Sequence, residues 1–235
     1  MAPAAQFKDG NQLLQRLSKS DLSLLEPHFF SVSLVLRQEL ERPNKPIADV
    51  FFMDRGIASV VTRFPGGVEA EIGIIGCEGM TGTAVVLGNH QTPTATYIQL
   101  AGDARRISAN LLRSAMDESS TLRPLLLKFV QAFTVQSANT AVANARATLP
   151  VRLARWLLMT LDRVPGNDIH LTQEFLSTML AVRRAGVTEA IKSLRTDKLI
   201  STTRGEISVL KRKALEKLAG HFYGVPGAEY RRLMS

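Results

Sequence analysis

The chain is poor in cysteine, histidine, aromatic residues and long apolar runs, and each shortage closes a class of function. A single cysteine, Cys77, among 235 residues excludes an internal disulfide and a four-cysteine zinc or iron–sulfur site within one chain. The four histidines, His28, His90, His170 and His221, are scattered, and no His-Glu-x-x-His occurs. Gly-x-Ser-x-Gly and Walker motifs are missing too, so hydrolytic and nucleotide-cleaving chemistry has no motif to stand on. The expectation is a non-enzyme, with no catalytic residue, no metal and no cofactor. No apolar run approaches the ~18 residues that cross a bilayer. The opening MAPAAQFKDG lacks a basic region followed by an apolar stretch. A secretory signal and a membrane partner are therefore not expected, and a reducing cytoplasm is the expected compartment.

What the chain does have is 45% hydrophobic and 21% charged residues, the composition of a folded soluble protein. Its formal charge of +8 is unevenly placed. Residues 1–118 hold 11 basic and 13 acidic side chains, whereas residues 119–235 hold 18 and 8. A near-neutral half followed by a basic half suggests two jobs. The basic half should attract a polyanion, nucleic acid first and an anionic membrane surface second, the bland alternative being a solvated surface with no partner.

Eight of the 16 glycines fall between Gly56 and Gly88. They interrupt short β-branched stretches at Ile57–Thr62, Val68–Ile75, Thr83–Leu87 and Thr94–Leu100, the pattern of an antiparallel roll. Arg63-Phe64-Pro65-Gly66-Gly67 reads as a hairpin turn, and Asn11–Leu25 reads as a helix. Gly73, Gly76, Gly79 and Gly82 recur every third residue without a following Lys-Ser/Thr, so they read as turns of the roll rather than as a phosphate loop.

From Leu125 to Leu149 there is neither Gly nor Pro. The expected helix starts near Ser119 or Ser120 and is roughly 40 Å long, more than a small domain needs for its own core. Leu122, Leu126, Phe129 and Phe133 recur at spacings of four, three and four, a coiled-coil-like seam, and are assigned to a dimer interface. Packing within one chain is the alternative. Pro150 opens a second helix, in which Trp156 reads as a packing residue.

Thr172 is an N-cap candidate for a helix whose apolar face is Phe175, Leu176, Met179 and Leu180. A short link, Val182-Arg183, leads to a second helix over about Arg184–Lys198, with Val187, Ala190, Ile191 and Leu194 on its inner face. Its outer face carries Ala185, Thr188, Glu189 and Lys192, with Arg184 at its start. Leu199–Thr203 and Glu206–Leu210 flank Arg204-Gly205 as a β-hairpin. Two short helices followed by a wing, in the basic half, form a winged helix-turn-helix. Arg184, Ala185, Thr188, Glu189 and Lys192 are the base-contact candidates; Thr172, Arg183 and Arg204 are the phosphate-contact candidates. For Glu189 the structural alternative is an ion pair with Lys192.

With these stretches in view, residues 11–220 resemble the Crp/Fnr family of bacterial transcription regulators. The resemblance rests on Asn11-Gln-Leu-Leu, Val50-Phe-Phe-Met-Asp-Arg-Gly-Ile-Ala-Ser-Val-Val, Glu71-Ile-Gly-Ile-Ile-Gly-Cys-Glu-Gly-Met, Thr172-Gln-Glu-Phe-Leu and Arg184-Ala-Gly-Val-Thr-Glu-Ala-Ile-Lys-Ser-Leu. It implies an α+β chain: a cyclic-nucleotide-binding-like sensor at 1–118, a dimerisation helix at 119–149, a winged helix-turn-helix at 150–222 and a tail at 223–235. It implies a homodimer on a palindromic double-stranded DNA operator, with RNA polymerase as a further partner to consider. The rival reading is a regulatory or scaffold subunit whose basic half binds a protein or membrane surface.

The family's cyclic-nucleotide cassette corresponds to about Gly82–Thr96, so Gly82, Thr83, Ala84, Thr92 and Thr94 are the effector-pocket candidates. The ribose-binding Glu of the family falls near Thr83, and its phosphate-binding Arg near Thr92 or Pro93. Between Gly73 and Leu100 there is no Lys or Arg, and Glu78 is the only charged residue. A buried phosphate would have no cation there. Cyclic AMP is not the expected ligand, and the effector is an unidentified small molecule or none. Haem on Cys77 and His90, and a redox role for Cys77, are weaker alternatives.

Overall fold

The structure, a computed structural model, describes residues 10–64 and 69–235. In chain order the elements are α1 (Lys19–Leu25), β1 (Phe30–Leu34), β2 (Glu39–Glu41), β3 (Asp49–Met53), β4 (Ile57–Arg63) and β5 (Glu69–Ile75). Then come α2 (Thr83–Val86), β6 (Ala95–Leu100), β7 (Gly102–Ser108), α3 (Ala109–Glu118), α4 (Leu122–Arg146) and α5 (Leu149–Leu161). The chain ends with β8 (Asp168–His170), α6 (Gln173–Met179), α7 (Arg184–Thr196), β9 (Ile200–Thr203), β10 (Glu206–Val209), α8 (Arg212–Ala219) and α9 (Val225–Met234).

Two antiparallel sheets make the N-terminal roll, ordered β1-β7-β3 and β2-β6-β4-β5. Phe52, Met53, Ile75, Met80, Ile98 and Ile107 fill the space between them. Asn11 ties the start of the described chain to this core. Its Nδ2 donates to the Met53 and Gly79 carbonyls at 2.8 and 2.7 Å, and its Oδ1 accepts from the Leu14 amide. A buried amide with its groups matched in this way costs little. The expected helix over Asn11–Leu25 is two pieces, a 3-10 turn at Leu14–Arg16 and then α1. Ser18 separates them because its hydroxyl accepts from the Asp21 amide and starts a new helix.

Thr83–Leu87, expected as a strand, is the one-turn helix α2. Gly82 enters it with φ +74°, and Val85 and Val86 are both buried. Tertiary burial overrides the β-branched preference at this point. The hairpin turn assigned to residues 63–67 lies largely outside the described residues; its flanks pair as expected, Arg63 opposite Glu69.

The glycine ladder has a packing cause. A Cβ on Gly79 would stand 2.1 Å from the Phe129 ring, one on Gly73 2.8 Å from the Phe133 ring, and one on Gly76 2.8 Å from Arg163 Cγ. The roll is thus cut away along one line to receive α4 and the end of α5. This overturns the seam assignment. Leu122, Leu126 and Phe129 are buried in the core of their own chain, and Phe133 packs against it. The heptad-like spacing is real, but the groove it fills is lined with glycine and belongs to the same polypeptide.

Beyond the long helix, α5, α6, α7 and α8 enclose a second core of Leu157, Leu158, Leu176, Val187, Ile191, Leu194 and Leu215. Trp156 is buried there, as expected. A three-stranded sheet, β8-β10-β9, forms the wing. The third strand, β8, is three residues long and carries no alternation that the sequence could show. The stretch 223–235, expected as a tail, is largely the helix α9, with Met234 buried. Tyr230 Oη donates to the Glu78 carbonyl at 2.8 Å, and Arg16 Nε donates to the Met234 carbonyl at 3.2 Å. No helix among the described residues is long and apolar enough to cross a membrane.

Candidate nucleic-acid interface and sensor pocket

The two helices of the motif are held by their ends. Thr172 Oγ1 accepts from the Phe175 amide at 3.2 Å and starts α6. Both helices then close in the same way, with paired backbone bonds around a left-handed residue. In α6 the Ala181 amide bonds Thr178 O and the Val182 amide bonds Ser177 O; in α7 the Lys198 amide bonds Arg195 O and the Leu199 amide bonds Leu194 O. Ala181 and Lys198 have φ of +49° and +54°, conformations that glycine adopts more cheaply. Arg152 on α5 clamps the turn between the helices, donating to Leu180 O and, at 3.0 Å, to Asn144 Oδ1 on α4.

With its inner face fixed by Val187, Ala190, Ile191 and Leu194, α7 turns the opposite face to solvent. Arg184, Ala185, Thr188, Glu189 and Lys192 are all exposed on it, and Arg183 is exposed just before it. Arg204 is exposed at the tip of the wing beside Gly205, whose φ of +80° makes the tight turn. Among the described residues, Arg183, Arg184, Lys192, Arg195, Lys198 and Arg204 form no ion pair; Glu189 forms none either, so its pairing with Lys192 is not present. Thr188 Oγ1 is engaged with Gln173 Oε1 and Arg184 O, each at 3.2 Å. Thr172 is exposed, and its hydroxyl oxygen serves the cap. The site is a row of uncompensated cations around one exposed helix face, with one carboxylate among them.

The sensor pocket differs in kind. Gly82 is buried, and Thr83, Ala84, Thr92 and Thr94 are half-buried around α2 and the approach to β6. Thr92 and Thr94 hydroxyls bond each other at 2.9 Å. The decisive residue was not anticipated. Glu41, buried on β2, accepts from the Gly82 amide at 2.5 Å and from Thr96 Oγ1 at 2.7 Å. Burial raises its pKa against those two hydrogen bonds. Its signal in sequence was only its place in a strand, since nothing local shows where a β2 carboxylate points. Cys77 is buried, and its thiol is pushed up to about 11 by burial and by the Glu78 carboxylate. That is the setting of an inert thiol, whereas His90 is exposed.

Between the two lies a polar seam. Glu71 on β5 is buried under α5, accepting from Trp156 Nε1 at 3.0 Å and Ser59 Oγ at 2.5 Å. Burial raises its carboxyl to about 7, despite those hydrogen bonds and the charges of Arg155 and Arg163. Tyr97 of the roll meets Phe175 of α6 edge to face at 6.4 Å.

Residues 151–218 match the model of the Crp-like helix-turn-helix domain. No curated protein sequence matches the chain. Among solved structures, a protein described as a transcriptional regulator of the Crp/Fnr family from Eubacterium rectale aligns with a TM-score of 0.70 at 16% identity. The alignment covers 88% of this chain and 97% of that one. FixK2 from Bradyrhizobium japonicum aligns at 0.71 and 15% identity, covering 82% and 98%. A CooA mutant from Carboxydothermus hydrogenoformans aligns at 0.63 and 15% identity, covering 92% and 99%. Over most of its length the chain has the fold of these regulators, an N-terminal β-roll, a long helix and a helix-turn-helix of the Crp type.

Proposed function

We propose that this protein is a homodimeric, sequence-specific DNA-binding transcription regulator of the Crp/Fnr type whose effector is not cyclic AMP. The observation that carries this reading is the exposed face of α7, where Arg184, Ala185, Thr188, Glu189 and Lys192 stand free of the packing that fixes its other side. Arg184 suits a guanine edge, Glu189 a cytosine amino group, and Arg183 and Arg204 the backbone phosphates.

Pairing is assigned to the solvent side of α4. Pro124, Leu127, Gln131, Thr134, Ala138, Ala141 and Ala145 are all exposed and repeat at alternating spacings of three and four, with no charge among them. An uncharged seam of this length, ending in alanines that allow close approach, suits a two-fold partner. It replaces the seam first read from Leu122, Leu126, Phe129 and Phe133.

Selection of bound fragments from random duplex DNA, followed by sedimentation of the protein, tests the proposal. The expected result is an enriched inverted repeat and a dimer at micromolar concentration. Ala138→Glu with Ala141→Glu should give folded monomers that no longer hold the repeat. A wild-type monomer, or a pool in which no sequence is enriched, would overturn it.

A further inference from the structure

A cavity of about 490 Å³ lies beneath α9, where α4, α5, α8 and the Leu14–Arg16 turn meet. Its apolar wall includes Phe129, Phe133, Met159, Phe222, Tyr223 and Tyr230. This is drug-sized space, far more than the ~30 Å³ share of one water. Five guanidiniums and three carboxylates also border it. Arg163 is paired with Glu78 at 2.7 Å, and Arg212 with Asp162 and Glu216. That consumes all three carboxylates and leaves Arg16, Arg155 and Arg231 with no ion-pair partner among the described residues.

Arg155 is the informative one. It is buried, yet its bonds go only to neutral acceptors, Phe222 O at 2.9 Å and Thr140 Oγ1 at 3.0 Å. The nearby Glu71 carboxyl acts on it at a distance but forms no ion pair with it among the described residues, and is itself pushed up to about 7 by burial. A buried guanidinium without a paired carboxylate is expensive to keep, and its planar fork matches a carboxylate. Burial lowers its pKa to about 10, which still leaves it charged at neutral pH. Gly227 and Arg231 are exposed residues of its lining, and α9 is held over the space by Tyr230 and Arg16.

We infer that this cavity binds a small organic anion with a flat apolar body, an aromatic carboxylate, with the carboxylate on Arg155 and the ring against Phe129, Phe133 and Phe222. The site is separate from the Gly82 cassette. It joins the roll, the long helix and the helix-turn-helix domain through one ligand, and it does not depend on the DNA-binding reading.

The test uses the full chain without DNA, with 2-naphthoate as probe and 2-naphthamide and inorganic phosphate as controls, read by thermal shift and calorimetry. Expected is saturable binding of one 2-naphthoate per chain, at least tenfold weaker binding of the amide, and no stabilisation by phosphate. Arg155→Met should lower naphthoate affinity at least tenfold. Because that change strikes a buried group, two surface variants accompany it. Arg231→Gln removes an exposed, unpaired charge. Gly227→Leu adds bulk at an exposed point of the lining, where a Cβ would meet only Arg231 Nη1 at 3.5 Å, and leucine is the better helix former. Both should fold and bind naphthoate several-fold more weakly. Absence of a shift at millimolar 2-naphthoate would overturn the inference. So would equal binding of the amide, stabilisation by phosphate alone, or unchanged affinity in both surface variants.

Discussion

The two halves of the chain handle charge in opposite ways. The roll turns carboxylates inward: Asp21, Glu41 and Glu71 are all buried, each held by hydroxyl or N–H donors rather than by a direct ion pair. The helix-turn-helix half turns cations outward, and among the described residues those on α7 and Arg204 at the wing tip form no ion pair. The contrast teaches where an anion can and cannot go. A polyanion meets open guanidiniums at α7. At the Gly82 cassette, an incoming phosphate would meet a carboxylate that already holds the donors.

The largest expected effect comes from releasing one inward carboxylate at the seam between the halves. Glu71 keeps its proton in the folded chain up to about pH 7, whereas an ordinary glutamate releases it near 4.3. The folded state therefore binds more protons than the unfolded one across that window. Stability contributed by this group falls as pH rises from about 4.5 to 7, and the full penalty is present above 7. Glu71→Gln removes the penalty, because an amide cannot ionise and the Ser59 hydroxyl can rotate to accept from it. The gain should be on the order of 3 kcal/mol at pH 8 and near zero at pH 4. Denaturant unfolding at the two pH values measures it. Equal effects at both would mean that the carboxyl ionises normally in the folded chain.

Next in size are the outward cations. Arg184→Ala and Glu189→Ala should each cost ~1–3 kcal/mol on the selected operator and relax the preferred base at one position. Arg204→Ala should weaken specific and random duplexes alike and reduce the salt dependence by about one unit. Equal losses on every sequence for all three substitutions would remove α7 as the reader. Readout would then lie in DNA shape or in another element.

What was legible in the sequence follows from how local each signal is. The helix-turn-helix and wing could be read because caps, apolar spacing and the Arg204-Gly205 turn are short-range. The inner and outer faces of α7 come directly from its periodicity. The roll was legible as a class, but α2 was not, because its helix depends on where Gly82 and Val50 meet. The seam of α4 was misassigned because spacing reports that a face is apolar and not which chain covers it. The clue lay some fifty residues upstream: the three-residue glycine ladder is the imprint of Phe129, Phe133 and Arg163. Glu41 and α9 were missed for the same reason, since their partners at Gly82, Thr96, Glu78 and Arg16 are distant in sequence.

A smaller effect tests the frame that presents those cations. Lys198 ends α7 in the left-handed region, and Leu199 behind it is buried against the motif. Lys198→Gly should stabilise the chain by about 0.5–1 kcal/mol, because glycine reaches this conformation without the Cβ clash. The same change removes one surface cation beside α7, so any loss in DNA affinity should be equal on specific and random duplexes. A destabilised variant would mean that the left-handed close of α7 does not form.

The smallest expected effect is none at all, and it probes the inward half of the comparison most directly. Cyclic AMP or cyclic GMP at millimolar concentration should leave the melting curve unmoved. A ligand present at 100 times its Kd would add ~2.7 kcal/mol, which is easily seen. The reason is twofold. The stretch from Gly73 to Leu100 supplies no Lys or Arg, and the Gly82 amide and Thr96 hydroxyl are already occupied by Glu41. Glu41→Gln separates these causes. It replaces the resident carboxyl and leaves the cassette without a cation, so it too should stay unresponsive. A response in this variant alone would make the Glu41 carboxyl the barrier by itself. A response in the wild type would mean that a cation from outside residues 73–100 reaches the pocket, and that the roll admits anions as readily as the DNA-binding half.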